Sequence, residues 1–153
     1  MSIAQRLVED LKTAMKAGDK PRTSCLRMLR AKLLEREVAL RPGQGREVVL
    51  DDAQAVEAIA AYAKQRRDAI DSFRQAGRED LVAQELAELE ILAAYLPRQL
   101  ADEEIRAELR QAIAEAGASS ARDLGAVMKL AMPRLKGAVD GRRVQELLRE
   151  LLA

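Results

Sequence analysis

Residues 95–105 read YLPRQLADEEI, and this stretch decides how the chain divides. Pro97 has no N–H to give a helix, so the helical pattern before it stops there. Glu103 and Glu104 then sit where the next helix starts, and acids there complement the positive end of the helix dipole. Pro97 thus separates an N-terminal domain, residues 1–96, from a C-terminal domain, residues 97–153. So short a connection makes a semi-rigid junction, not a free tether.

Upstream of the junction the sequence predicts four helices. Ser2 and Gln5 form a capping box, and Ile3, Leu7, Leu11 and Met15 make one apolar stripe that ends at Gly18. Asp19 caps the second helix and Pro21 lies in its first turn; Leu26, Leu29, Leu33 and Val38 form the face to be buried. RPGQGREVV, residues 41–49, is the clearest loop, with Pro42, Gly43 and Gly45. Asp51 and Gln54 open a third helix with the stripe Val56, Ile59, Ala63, Ile70 and Phe73, running to Gly77. A fourth, from about Glu79, is expected to bury Leu81, Leu86, Leu89 and Leu92. Downstream come three more. One runs from about Asp102 to Ala116 on Ile105, Leu109 and Ile113, stopped by Gly117. Another follows the Ser120–Asp123 capping box and carries Leu124, Val127, Met128 and Leu130, and Pro133 kinks or ends it. Asp140 caps the last, which buries Val144, Leu147, Leu148 and Leu151. Ala, Leu, Glu, Arg and Lys dominate the composition while β-branched and aromatic residues are scarce, so the fold class is all-α.

The same residues exclude several chemistries. With no histidine in the chain, the commonest general base is missing. Cys25 has no histidine partner and reads as a core thiol beside Leu26 and Leu29. The carboxylate pairs Asp51–Asp52 and Glu103–Glu104 lie at helix starts, so no metal site is expected. No strand leads into a glycine-rich phosphate loop, and no cofactor is expected. One cysteine cannot form an internal disulfide, the N-terminal stretch MSIAQRLVEDLK has no apolar leader, and the longest apolar runs span about five residues where a bilayer needs roughly 20. The expectation is a cytoplasmic protein with no membrane partner.

Net charge is +1, which argues against a polyanion binder globally. Locally, residues 1–41 hold 10 basic and 5 acidic side chains, residues 42–97 hold 6 and 11, and residues 117–145 hold 6 and 2. In the last segment, RLKGAVDGRRVQELL (134–148) sets Arg134, Lys136, Arg142 and Arg143 around a turn and a helix start, with Lys129 nearby. Gly137 and Gly141 would let a backbone approach, and exposed N–H groups at that helix start can hold phosphate. Equally, the glycines make the turn and Asp140 competes for those N–H groups. A secondary basic patch, Lys64, Arg66 and Arg67, is either a solvated face in which Arg67 pairs with Asp71, or a partner or nucleic-acid contact. The cations of the second helix, from Arg22 to Arg36, spread around it as ordinary surface charge.

Three motifs carry a resemblance: Tyr-Leu-Pro-x-Gln-Leu at 95–100, Gly-Ala-x-x-x-x-Asp-Leu-Gly-x-Val-Met at 117–128, and Lys-Gly-x-x-Asp-Gly at 136–141. With SCLRMLRAKLLEREV (24–38) and the stretch 62–97, they make the chain similar to the GatB/YqeY family over nearly its whole length, in the layout of stand-alone YqeY proteins. The resemblance implies a C-terminal three-helix domain similar to the tail of GatB, a subunit of the tRNA-dependent amidotransferase, where the tail helps hold tRNA and the chemistry lies elsewhere. This chain has no counterpart of those catalytic domains. The implied function is a non-catalytic tRNA-binding or tRNA-enzyme accessory protein. Its tRNA contact would be Lys129, Arg134, Lys136, Arg142 and Arg143, and its protein partner an aminoacyl-tRNA-related enzyme or another protein. Alternatives are a protein–protein adaptor acting through the N-terminal domain, and a component linked to glutamine-dependent carbon–nitrogen ligase activity. Two positions depart from the family pattern. Ala101 stands where Ser is usual, so a cap is lost or moved to Asp102, and Val139 replaces a small Ala before Asp-Gly.

Overall fold

The computed structural model describes residues 1–41 and 49–153. The loop expected at Pro42, Gly43 and Gly45 lies outside the described residues. These contain seven α-helices and no strand: α1 (Ile3–Lys16), α2 (Lys20–Leu40), α3 (Asp52–Gln75), α4 (Glu79–Ala93), α5 (Asp102–Ala116), α6 (Leu124–Leu135) and α7 (Gly141–Leu152), with a single 3-10 turn, Ala121–Asp123, before α6. The chain forms two compact units, Met1–Leu96 and Pro97–Ala153.

Local chemistry starts most of these helices. Ser2 with Gln5, Asp51 with Gln54, and Ser120 with Asp123 close reciprocal capping boxes, and Asp19 and Asp140 each accept from a backbone N–H in the turn they cap. α4, α5 and α6 start without a side-chain cap hydrogen bond, and α5 has the fittest backbone for one. Ala101 occupies its N-cap position and its methyl can accept nothing; only the reverse half survives, Glu104 accepting from the Ala101 N–H at 3.5 Å. The cap is therefore lost and has not moved to Asp102, which is the first helical residue. α5 ends in Gly117 at φ 63° and ψ 31°, the left-handed region that an L side chain enters at a cost. α6 continues two residues past Pro133, so the proline does not end it.

In unit one, α1, α2, α3 and the end of α4 enclose Leu7, Leu11, Leu26, Leu29, Leu33, Ile59, Ala63, Leu92 and Tyr95. Two expected faces turn differently. Val38 is 57% exposed, and Leu86 is 44% exposed because α4 is rotated to bury Val82 and Leu92. That rotation carries Glu85 inward, its side chain only 14% exposed, to meet Arg66. Tyr95 closes the unit: its hydroxyl donates to Asp10 of α1, and the Arg6 guanidinium lies 4.5 Å from its ring centre while donating to the Ala94 carbonyl. Unit two packs Ile105, Leu109 and Ala112 of α5 against Val127, Ala131 and Leu135 of α6 and Val144, Leu147, Leu148 and Leu152 of α7.

Candidate functional site

The basic residues expected to act together lie at the end of α6, in the turn after it and in the first turn of α7. Lys129 is exposed on α6, and Lys136, the residue that follows the helix, is exposed too. Seven positions apart, they stand about 20° from one another around the helix axis. Arg142, the second residue of α7, is also exposed.

Arg134 and Arg143 each hold acids of the same unit. Arg134 sends both terminal nitrogens to Glu115 of α5, at 2.5 and 3.3 Å. This fork holds the Glu115 carboxyl below its usual range and raises Arg134. Arg143 grips Asp102 at 2.7 and 3.2 Å and donates to Glu146 at 2.8 Å. Hydrogen bonding from Arg143 keeps Asp102 below the ordinary carboxylate range. Both arginines therefore brace α5 against α6 and α7, and their charge is balanced inside the unit.

The two glycines differ. Gly137 has φ 82°, so its lack of a side chain serves the backbone. Gly141 has no such requirement, since a Cβ there would meet only the Met132 methyl at 3.9 Å, an ordinary contact. Nor is the start of α7 an open anion site: Asp140 already accepts from the Arg142 N–H at 3.1 Å.

The sequence reading missed what the Gln99 amide does. Its Nε2 donates to the Gly137 carbonyl at 2.8 Å and to the Pro97 carbonyl at 2.9 Å, while the Leu100 N–H donates to the Ala138 carbonyl at 2.9 Å. The Tyr-Leu-Pro-x-Gln-Leu stretch is thus stitched to the Lys-Gly-x-x-Asp-Gly turn. The signal was present in the pairing of the two motifs, because one supplies the donors and the other the carbonyls.

The secondary patch is split as well. Lys64 is exposed and Arg67 half-buried. Arg66 reaches Glu85 at 3.3 Å and Glu88 at 3.9 Å and lies 5.1 Å from the Tyr62 ring centre. Below it Cys25 contacts the Glu88 carbonyl through Sγ at 3.9 Å, and burial pushes its thiol up to about 11. A thiol so placed is protonated and unreactive at neutral pH, as the sequence reading of Cys25 anticipated.

A protein named Altered inheritance of mitochondria protein 41, mitochondrial, from Pyrenophora tritici-repentis, is 30% identical over 98% of this chain and 81% of its own length. Proteins of the same name from Eremothecium gossypii and Saccharomyces cerevisiae are 33% and 32% identical over 59% and 57% of the chain; the matched parts are 46% and 44% of their own lengths, less than half of each. These relatives, named as mitochondrial, overturn the expectation of a cytoplasmic protein. A lone thiol marks a reducing environment without saying which, and the absence of an apolar leader does not bear on mitochondrial targeting, whose segments are amphipathic and arginine-rich. A family model described as Yqey-like protein matches residues 4–152. With that span covered, and with an all-helical architecture to match, the chain belongs to the YqeY-like protein family.

Proposed function

We propose that this chain is a non-catalytic accessory protein of tRNA-dependent chemistry, and that unit two contacts the phosphates of tRNA through Lys129, Lys136 and Arg142. The observation that carries this reading is the exposure of Lys129, Lys136 and Arg142 around the α6–α7 turn. The likeness of unit two to the GatB tail supports the choice of tRNA as ligand. Unit two has no aromatic side chain on which a base could stack, and recognition rests on backbone charge and shape. With about three phosphate contacts the complex is weak and salt-sensitive. Titrating labelled bulk tRNA at low and at moderate salt tests the reading. Binding that weakens steeply with salt, and a slope reduced by roughly 2–3 when Lys129, Lys136 and Arg142 are all replaced by Ala, supports it. No binding at low salt rejects it.

A second reading, a protein–protein adaptor working through unit one, draws on α4. Leu86 is 44% exposed there, with Glu79, Asp80 and Glu90 also exposed on the same helix. An apolar residue among acids fits a basic partner surface. A defined protein recovered by pulldown after nuclease treatment, and lost with Leu86→Lys, favours that reading over the first.

A further inference from the structure

α2 carries apolar side chains on two opposite faces. One face is the core row Cys25, Leu26, Leu29 and Leu33. On the other lie Met28, Ala31, Leu34 and Val38, where Met28, Leu34 and Val38 are 49%, 47% and 57% exposed. A helix on the surface of a monomer ordinarily presents polar residues there. The outer row has a register. Ala31, Leu34 and Val38 are spaced three and four apart, the spacing of the a and d positions of a heptad. Arg27 and Arg41 extend the same row at its two ends, and Arg30 and Glu37 both fall on one flanking position. Among the described residues neither Arg30 nor Glu37 has an ion pair or hydrogen-bond partner for its side chain, whereas Glu35 on the same helix is held by Lys32 at 3.5 Å.

We propose that this face docks a second copy of the chain, α2 against α2, antiparallel about a twofold axis. Ala31, Leu34 and Val38 form the seam, and Arg30 of each copy pairs with Glu37 of the other. The arrangement of charge selects both occupant and direction. In an antiparallel pair each flank faces the same flank of the other helix, so a cation and an anion one heptad apart meet their opposites twice. A parallel pair would stack Arg27 on Arg27 and Arg41 on Arg41 in the seam. Run antiparallel, the Arg27 stem lies beside Val38 and Arg41 beside Ser24. An acidic foreign helix would satisfy Arg30 and repel Glu37. With three apolar residues a side along a helix of 21 residues, the dimer is a small one and assembles at micromolar concentration or above.

Sedimentation velocity on the full chain, without nucleic acid, from about 1 μM to about 1 mM, tests this independently of any tRNA contact. The wild type moves from monomer to dimer across that range. Arg30→Glu and Glu37→Arg each weaken dimerisation by about tenfold or more, the double exchange restores it, and Val38→Asp abolishes it. Arg30 and Val38 are exposed and Glu37 is half-buried, so the far-UV circular dichroism of the variants stays that of the wild type. A wild type monomeric throughout overturns the proposal. So does a dimer indifferent to Val38→Asp, or a double exchange as weak as the single ones.

Discussion

Arg143, in the first turn of α7, holds Asp102, the first residue of α5, in a two-pronged grip at 2.7 and 3.2 Å across 41 positions of sequence. Two planar groups match here, and the geometry closes the three-helix unit at the end where its candidate ligand surface lies. The same kind of fork joins Arg134 to Glu115 and Arg98 to Glu104. In each case a hydrogen bond from arginine depresses the carboxyl. A depressed folded value means that the unfolded chain binds more protons, so stability is complete above the ordinary carboxylate range and is lost as pH falls through the folded values. The urea midpoint should therefore drop on acidification below about pH 4. Asp102→Asn, Glu104→Gln and Glu115→Gln together should flatten that drop. An unchanged acid profile in the triple variant would show that these forks contribute nothing.

Stability and ligand contact should come apart within the basic cluster. Arg143→Ala removes a brace, so it lowers the urea midpoint and leaves the salt slope of tRNA binding where it was. Lys129→Ala removes an exposed charge, so it leaves the midpoint alone and reduces that slope by about 1. Should Arg143→Ala instead take the larger share of the slope, the assignment of roles is reversed.

The missing cap on α5 is a stabilising substitution waiting to be made. Ala101 has extended backbone at φ −74° and ψ 159°, the conformation of an N-cap, but no side-chain oxygen for the N–H groups of the first turn. Ala101→Ser should raise stability by about 1 kcal/mol, read from urea unfolding followed by circular dichroism. A change near zero would mean that Glu104, reaching back to the Ala101 N–H, already satisfies that end.

Cys25 should be silent to a thiol reagent in the native protein. Burial and the neighbouring Glu88 charge both favour the protonated thiol. Labelling by a chromogenic disulfide at pH 8 should follow global unfolding, accelerating sharply in urea. Rapid labelling of the native chain would place Cys25 at the surface.

Features set by neighbours in sequence were legible, and those set across the fold were not. The Ser2–Gln5, Asp51–Gln54 and Ser120–Asp123 boxes join residues three apart, so the letters alone state the contact. On α4 the expected Leu89 and Leu92 do face the core, but Leu86 was misjudged and Val82 missed, because the pairing of Glu85 with Arg66 on another helix sets how α4 is turned. The candidate site suffered likewise. Counting charge over residues 117–145 treats every cation as available, while the partners of Arg134 and Arg143, Glu115 and Asp102, lie outside that window. The outer face of α2 was legible in its letters and went unread, since Val38 was assigned to the core.

The turn after α6 yields the prediction that separates a structural motif from a ligand site. The Gly137 carbonyl accepts from the Gln99 amide, and Gly137 itself sits at φ 82° to present it. Gln99→Ala leaves that carbonyl and the one at Pro97 without their donor and should cost about 1–2 kcal/mol. Gly137→Ala forces a Cβ into the left-handed region, at about 1–2 kcal/mol. Both act on one contact, since a strained turn withdraws the carbonyl from the amide. The double variant should therefore lose less than the sum of the two. Urea unfolding of the four proteins completes the cycle, and tRNA binding measured on the folded variants should be unchanged in its salt slope. Strict additivity, or a neutral Gln99→Ala, would mean that the two motifs are not stitched by this bond; a collapsed salt slope in a well-folded Gln99→Ala would move Gln99 from scaffold to ligand contact.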